Sequence, residues 1–139
     1  MKSIWRKEIV EELYNLGIRE NTIKSMFEIN PGINDLTNEE IREKEIILSK
    51  VGCSTNQITN IISSNSSFLN RTNEEIIKLI SYLNKLGFVL NILFDSNPYI
   101  LNLEVFEIEE YIKKEQLKGK SLEEITNELD REPYLFCEI

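Results

Sequence analysis

The pentapeptide TNEEI occupies residues 37–41 and again residues 72–76, 35 residues later. A fixed period of this length is the mark of a repeat architecture, and it restricts the fold more than any feature of composition does. With Pro31 as an anchor, the register continues at Ser66, Pro98 and Pro133, in the contexts NPGIN, NSSFL, NPYIL and EPYLF. Asn30, Asn65 and Asn97 precede the first three anchors, and Glu132 precedes the fourth. Phe27, Ile62, Phe94 and Leu129 lie four residues before the anchors, and Ile23, Ile58, Leu90 and Ile125 lie eight before. A separation of four places each such pair on one helical face. Gly17, Gly52 and Gly119 stand fourteen before their anchors, whereas Gly87 stands only eleven before its own. The third unit has therefore lost about one helical turn, expected between its glycine and its second helix. Ten after the anchors come Ile41, Ile76 and Ile108; seventeen after come Leu48, Leu83 and then Glu115, where the fourth unit departs.

Each unit reads as a longer helix A, a glycine, a shorter helix B and a proline or serine corner. Glycine just past a helix end suits the left-handed position there, and proline stops the second helix. Thr37 with Glu40, Ser54 with Gln57, Thr72 with Glu75 and Ser121 with Glu124 fit the S/T-x-x-E/Q capping box. TNEEI is thus a helix start, repeated because the unit is repeated. No unit can bury its apolar face alone, so the units must stack. The expected fold is all-α: a short, right-stacked array of about four helix-turn-helix repeats, an α-solenoid. It forms one domain, with units at roughly 4–36, 37–71, 72–103 and 104–139. The first helix of the fourth unit, roughly 104–118, matches the pattern least.

At 139 residues the chain can bury a real core without covalent staples. Lys and Arg number 16 and Asp and Glu 24, a net charge of −8, which repels phosphate backbones unless a local basic stripe offsets it. Two distant cysteines, Cys53 and Cys137, and no histidine argue against a disulfide framework and a zinc site. A reduced, cytoplasmic protein is expected. The start, MKSIWRKEIVEEL, places charges where a secretory leader needs an apolar run. The longest apolar stretch, FVLNILF at 88–94, is far too short to span a bilayer. Without histidine the usual base near neutral pH is missing, and no phosphate loop, nucleophile elbow or metal-ligand spacing stands in the chain. No enzyme, cofactor or metal is expected.

Paired helices with a corner residue followed by apolar residues three, ten and seventeen later resemble the mTERF repeat, of the mitochondrial transcription termination factors. Here the motif is Ser66 with Leu69, Ile76 and Leu83, and Pro98 with Leu101 and Ile108; Pro31 with Ile41 and Leu48 also fits, with Asn34 at the first apolar place. The resemblance implies a curved helical array. In many members it implies a concave basic surface for double-stranded DNA or RNA, and in some a protein partner. Family members usually have more repeats, and no arginine recurs here in successive units, so no nucleic-acid contact residues carry over.

Several features have two readings. Lys50 and Lys85, 35 apart, with Lys118 near the corresponding point, could form a cationic ladder along one edge, or could complement the negative ends of the A helices. Lys113, Lys114, Lys118 and Lys120 make the most basic patch, interleaved with Glu109, Glu110 and Glu115. Tyr134, Leu135 and Phe136 form an apolar tail that either recruits a partner or docks inward. Trp5 and Tyr14 could stack a base, although Trp5 with Ile9 and Leu13 has helical core spacing. Glu39, Glu40, Glu74, Glu75, Glu123 and Glu124 could hold a metal or mimic phosphate, but their place at helix starts accounts for them. Cys53 follows its glycine where Ile18 and Phe88 stand, which predicts a buried thiol. Net charge favours a non-catalytic module with a protein partner; the resemblance favours the alternative, a nucleic-acid-binding regulator of transcription.

Overall fold

The computed structural model describes residues 5–139. The first-unit boundary at Ile4 and the charges ahead of Trp5 lie outside the described residues. Eight α-helices follow in order: α1 (Lys7–Asn15), α2 (Glu20–Ile29), α3 (Asn38–Lys50), α4 (Thr55–Ser64), α5 (Asn73–Lys85), α6 (Leu90–Ser96), α7 (Val105–Leu117) and α8 (Leu122–Arg131). Odd-numbered helices are the A helices and even-numbered ones the B helices. No strand occurs among the described residues.

The corner after each B helix is more than a turn. It is a 3-10 helix, at Pro31–Asp35, Ser66–Asn70, Pro98–Asn102 and Pro133–Glu138. Asn30, Asn65, Asn97 and Glu132 end the B helices, and the proline or serine then opens the next helix instead of only stopping the last. Proline suits that first position because its missing N–H has no partner there in any case.

All four predicted capping boxes form. Thr37 accepts from the Glu40 amide at 3.1 Å while Glu40 accepts from the Thr37 amide at 2.9 Å. Thr72 with Glu75, Ser54 with Gln57 and Ser121 with Glu124 repeat the exchange. These bonds satisfy free donors at the helix start, and they hold the Glu75 and Glu124 carboxyls below the usual range. At α7 the Glu104 amide donates to Glu107 at 2.9 Å, in a place where the sequence offers no serine or threonine.

The glycine turns are alike. Gly17, Gly52, Gly87 and Gly119 all have positive φ, +99° at Gly52, where a Cβ would be strained. The turn after Gly87 is as long as the others, so the deletion of the third unit lies inside the helix: α6 has 7 residues where α2, α4 and α8 have 10. The core runs unbroken through all units, from Ile9, Leu13 and Phe27 through Phe68, Leu83 and Phe94 to Leu129 and Phe136. Successive A helices pack on one another, as do successive 3-10 helices.

An amide ladder ties the units together. Asn30 Nδ2 donates to the Ser66 carbonyl at 3.2 Å and to Asn70 Oδ1 at 2.8 Å. Asn65 Nδ2 donates to the Pro98 carbonyl at 2.9 Å and to Asn102 Oδ1 at 3.1 Å. Asn97 Nδ2 donates to the Pro133 carbonyl at 3.0 Å and lies 3.5 Å from Cys137 Sγ. In each case the residue before one anchor grips the first carbonyl and the fifth residue of the next 3-10 helix. Two arginines close individual units instead. Arg6 donates to the Leu36 carbonyl at 2.8 Å, and Arg71 to the Leu101 and Leu103 carbonyls at 2.6 and 2.9 Å and to Glu104 at 2.9 Å.

Candidate functional site

Because the A helices run side by side in one sense, their ends make two opposite edges of the array. The starting edge is acidic: Glu8, Glu39 and Glu40, Glu74 and Glu75, and Glu107 stand in the first turns. The finishing edge, where A turns into B, carries Lys50 and Lys85 in the last turns of α3 and α5 and Arg19 before α2. Helix dipoles favour this arrangement, and stacking lines the like charges up.

Between the second and third units this finishing edge is grooved. Lys50, Val51, Ile80, Ser81, Asn84, Phe88, Val89, Leu90 and Asn91 line an open cavity of about 450 Å³. No carboxylate lies among these residues. The first turns of α4 and α6 also carry none, unlike those of α2 and α8. Lys113 follows Ser81 by 32 residues and so holds, next to Lys85, the place Ser81 holds next to Lys50. Lys113 and Lys114 are exposed on α7.

Lys118 and Lys120 are committed elsewhere. Lys118 pairs with Glu115 at 2.7 Å, and Lys120 bridges Glu115 at 2.9 Å and Glu128 at 3.0 Å. These bonds lower the Glu115 pKa and raise that of Lys120. The basic patch of residues 111–120 therefore presents Lys113 and Lys114 as its unpaired cations. In the tail, Phe136 is buried edge-on against Phe88, Leu135 packs partly on the core, and Tyr134 is exposed and donates to Glu132. Phe136 offers no surface to a partner because it fills the end of the core. Trp5 stacks on Phe27 at 4.5 Å between ring centroids, and Tyr14 remains exposed.

Three polar positions gave no sign of their burial in the sequence. Lys44 is buried on the A-helix stack and donates to Asn73 Oδ1 at 2.7 Å, and burial lowers its pKa. Glu12 is buried and paired with Arg42 at 2.9 Å, and Glu45 lies against the same carboxyl. Burial, and then Glu12, push the Glu45 pKa up to about 7. Cys53 is buried as expected, its thiol pushed up to about 11 mainly by burial. Among the described residues no group of three or more His, Cys, Asp or Glu is placed to hold a metal ion, and no single helix is long and apolar enough to cross a membrane.

The geometry defines an α-helical solenoid whose units meet through amide side chains and whose two edges differ in charge. The family model of mTERF matches residues 1–91, and the chain belongs to the mTERF family. That match ends inside α6, before the unit in which Glu115 and Glu132 break the repeat. No curated protein matches the chain.

Proposed function

We propose that the chain is a nucleic-acid-binding module of the mTERF kind, with a role in transcription, and that it meets the phosphate backbone along the finishing edge of its two central units. Family membership supports this reading, since mTERF proteins are in general helical-repeat binding proteins without catalysis. The single observation that carries it is the carboxylate-free groove beside Lys50, with Lys85 at the corresponding point of the next unit and Lys113 exposed beside it in the register. An acidic chain can engage phosphates only where its cations stand clear of its carboxylates, and the groove between the second and third units is such a place. A cytoplasmic, reducing setting belongs to the same proposal and is supported by two free cysteines.

The test is fluorescence anisotropy with labelled duplex DNA, single-stranded DNA and structured RNA across a salt series. Affinity should fall linearly in log salt, with a slope of about 0.9 per phosphate engaged on duplex DNA. Lys50→Ala and Lys85→Ala should each weaken binding to all sequences alike and reduce that slope by about one. Absence of binding at low salt would retire the proposal.

A second reading, a protein partner, rests on a different surface. On α7 the exposed Phe106 and Leu117 replace the charged Glu39 and Glu74, and Lys50 and Lys85, of α3 and α5.

A further inference from the structure

In the repeat register, Phe106 stands where Glu39 and Glu74 stand, and Leu117 where Lys50 and Lys85 stand. Both are exposed, Phe106 at 59% and Leu117 at 89%. With the half-buried Tyr111 and Ile139 they line an open groove of about 490 Å³, joined by Glu107, Glu110, Lys114, Glu115, Lys118 and Glu138.

Among the described residues no helix covers this groove, which holds on α7 the place that α5 fills on α3. On α3 the corresponding face receives the first turn of α5: Asn73 Nδ2 donates to Glu43 Oε2 at 2.8 Å, and Lys44 donates to Asn73. Glu110 and Tyr111 hold on α7 the places of Glu43 and Lys44. The seat therefore fits a helix. Its charge defines the kind: Lys118 is neutralised by Glu115, leaving Glu107, Glu110 and Glu138 against Lys114 alone.

We propose that this groove docks one amphipathic, basic helix of a protein partner, its apolar side on Phe106, Tyr111 and Leu117 and its cations on Glu110 and Glu138. The inference rests on the protein-partner reading and narrows it to one surface and one chemistry. Helix-in-groove recognition of this kind uses apolar anchors at i, i+3 or i+4, and i+7.

The experiment titrates fluorescent 20-residue helices with one apolar face and with basic, neutral or acidic outer faces against the full chain at physiological salt. The doubly substituted chain Phe106→Glu/Leu117→Lys restores the residues of the interior units, so it keeps the fold, which circular dichroism and Tm check. The basic helix should bind at least tenfold more tightly than the acidic one. Binding should drop at least tenfold in that variant, fall severalfold in Glu110→Gln/Glu138→Gln, and stay unchanged in Lys50→Ala/Lys85→Ala. Equal binding of all three helices, or preference for the acidic one, overturns the inference and leaves the protein-partner reading standing. Absence of binding by every helix overturns both for this surface. Concentration-dependent self-association of the native chain that Phe106→Glu/Leu117→Lys abolishes would make a second copy the occupant, and that too overturns the inference.

Discussion

Glu115 and Lys120 form an ion pair at 2.9 Å in the place where each of the three preceding units closes with an apolar clasp. Those clasps are Leu13 with Ile18, Leu48 with Cys53, and Leu83 with Phe88, each pair joined by the same backbone bond across a positive-φ glycine that joins Lys120 to Glu115. A hydrophobic contact across such a helix end is the usual companion of this turn. The fourth unit substitutes charge for it, and Glu128 adds a second carboxylate to Lys120.

Exchanging both partners for their interior counterparts, Glu115→Leu with Lys120→Phe, should raise Tm or leave it unchanged, because it recreates the apolar clasp and a partly exposed ion pair contributes little. Glu115→Leu alone should lower Tm, since Lys118 and Lys120 then lose a shared acceptor. The native chain should also lose stability in acid. The Glu115 carboxyl is held below its ordinary value, so its contribution is present above the unfolded pKa and disappears as pH falls through the folded one. Thermal unfolding of the native chain, Glu115→Leu, Lys120→Phe and the double variant, at neutral pH and near pH 3, checks both statements.

Asn65 is 2% exposed, and its amide is fully engaged with Pro98, Asn102 and Ser67. Asn65→Leu should cost roughly 1–3 kcal/mol, because it strips the Pro98 carbonyl of its buried donor, while the exposed Asn102 amide keeps Ser67 as a partner. Asn30→Leu, at a half-exposed position, should cost less. Asn65→Asp should be worse than Asn65→Leu at neutral pH, where a carboxylate faces two acceptors. It should recover as pH falls, because the site favours the protonated acid and raises its folded pKa. Denaturant unfolding at several pH values measures the series.

Much of this fold was legible in the chain. TNEEI located two helix starts, the four glycines located the turns, and residues such as Ile41, Leu83 and Phe94 located the core, since each signal repeats with the unit. The asparagines before the anchors were visible too, but their use was not. An amide that grips a neighbour's carbonyl has the same sequence signature as one that merely ends a helix. The 3-10 helices escaped for a similar reason, because a proline corner and a proline-initiated turn are written alike. On the candidate site, Lys118 and Lys120 resembled Lys113 and Lys114 in the sequence. Only the folded turn brings Glu115 to the first two and leaves the second two free.

Arg71 closes the third unit with one guanidinium on two carbonyls and Glu104. Arg71→Lys preserves the charge but not the planar fork. It should cost about 1–2 kcal/mol, and Arg71→Ala more, of the order of 2–3 kcal/mol, as expected for charge-assisted bonds. Leu36 stands before α3 where Arg71 stands before α5, so the second unit lacks this closure. Hydrogen exchange should therefore show the amides after Thr37 opening more readily than those after Thr72, with the difference erased in Arg71→Ala.

Glu45 makes the stability of the first junction depend on pH near neutrality. Its Oε2 is buried without a hydrogen-bond partner, and burial together with the Glu12 carboxyl raises its pKa to about 7. The unfolded chain releases this proton near pH 4.3. Between those values the folded state holds the extra proton, so stability falls as pH rises from about 4.3 through about 7 and levels off above. Glu45→Gln keeps the shape and removes the titration. It should raise Tm at pH 8, matter little near pH 5, and flatten the intervening slope. Arg42→Ala should steepen that slope, because it withdraws the cation that partly offsets the two carboxyls. Differential scanning calorimetry from pH 4.5 to pH 8.5 on the three chains tests the assignment, and parallel curves for native and Glu45→Gln proteins would refute it.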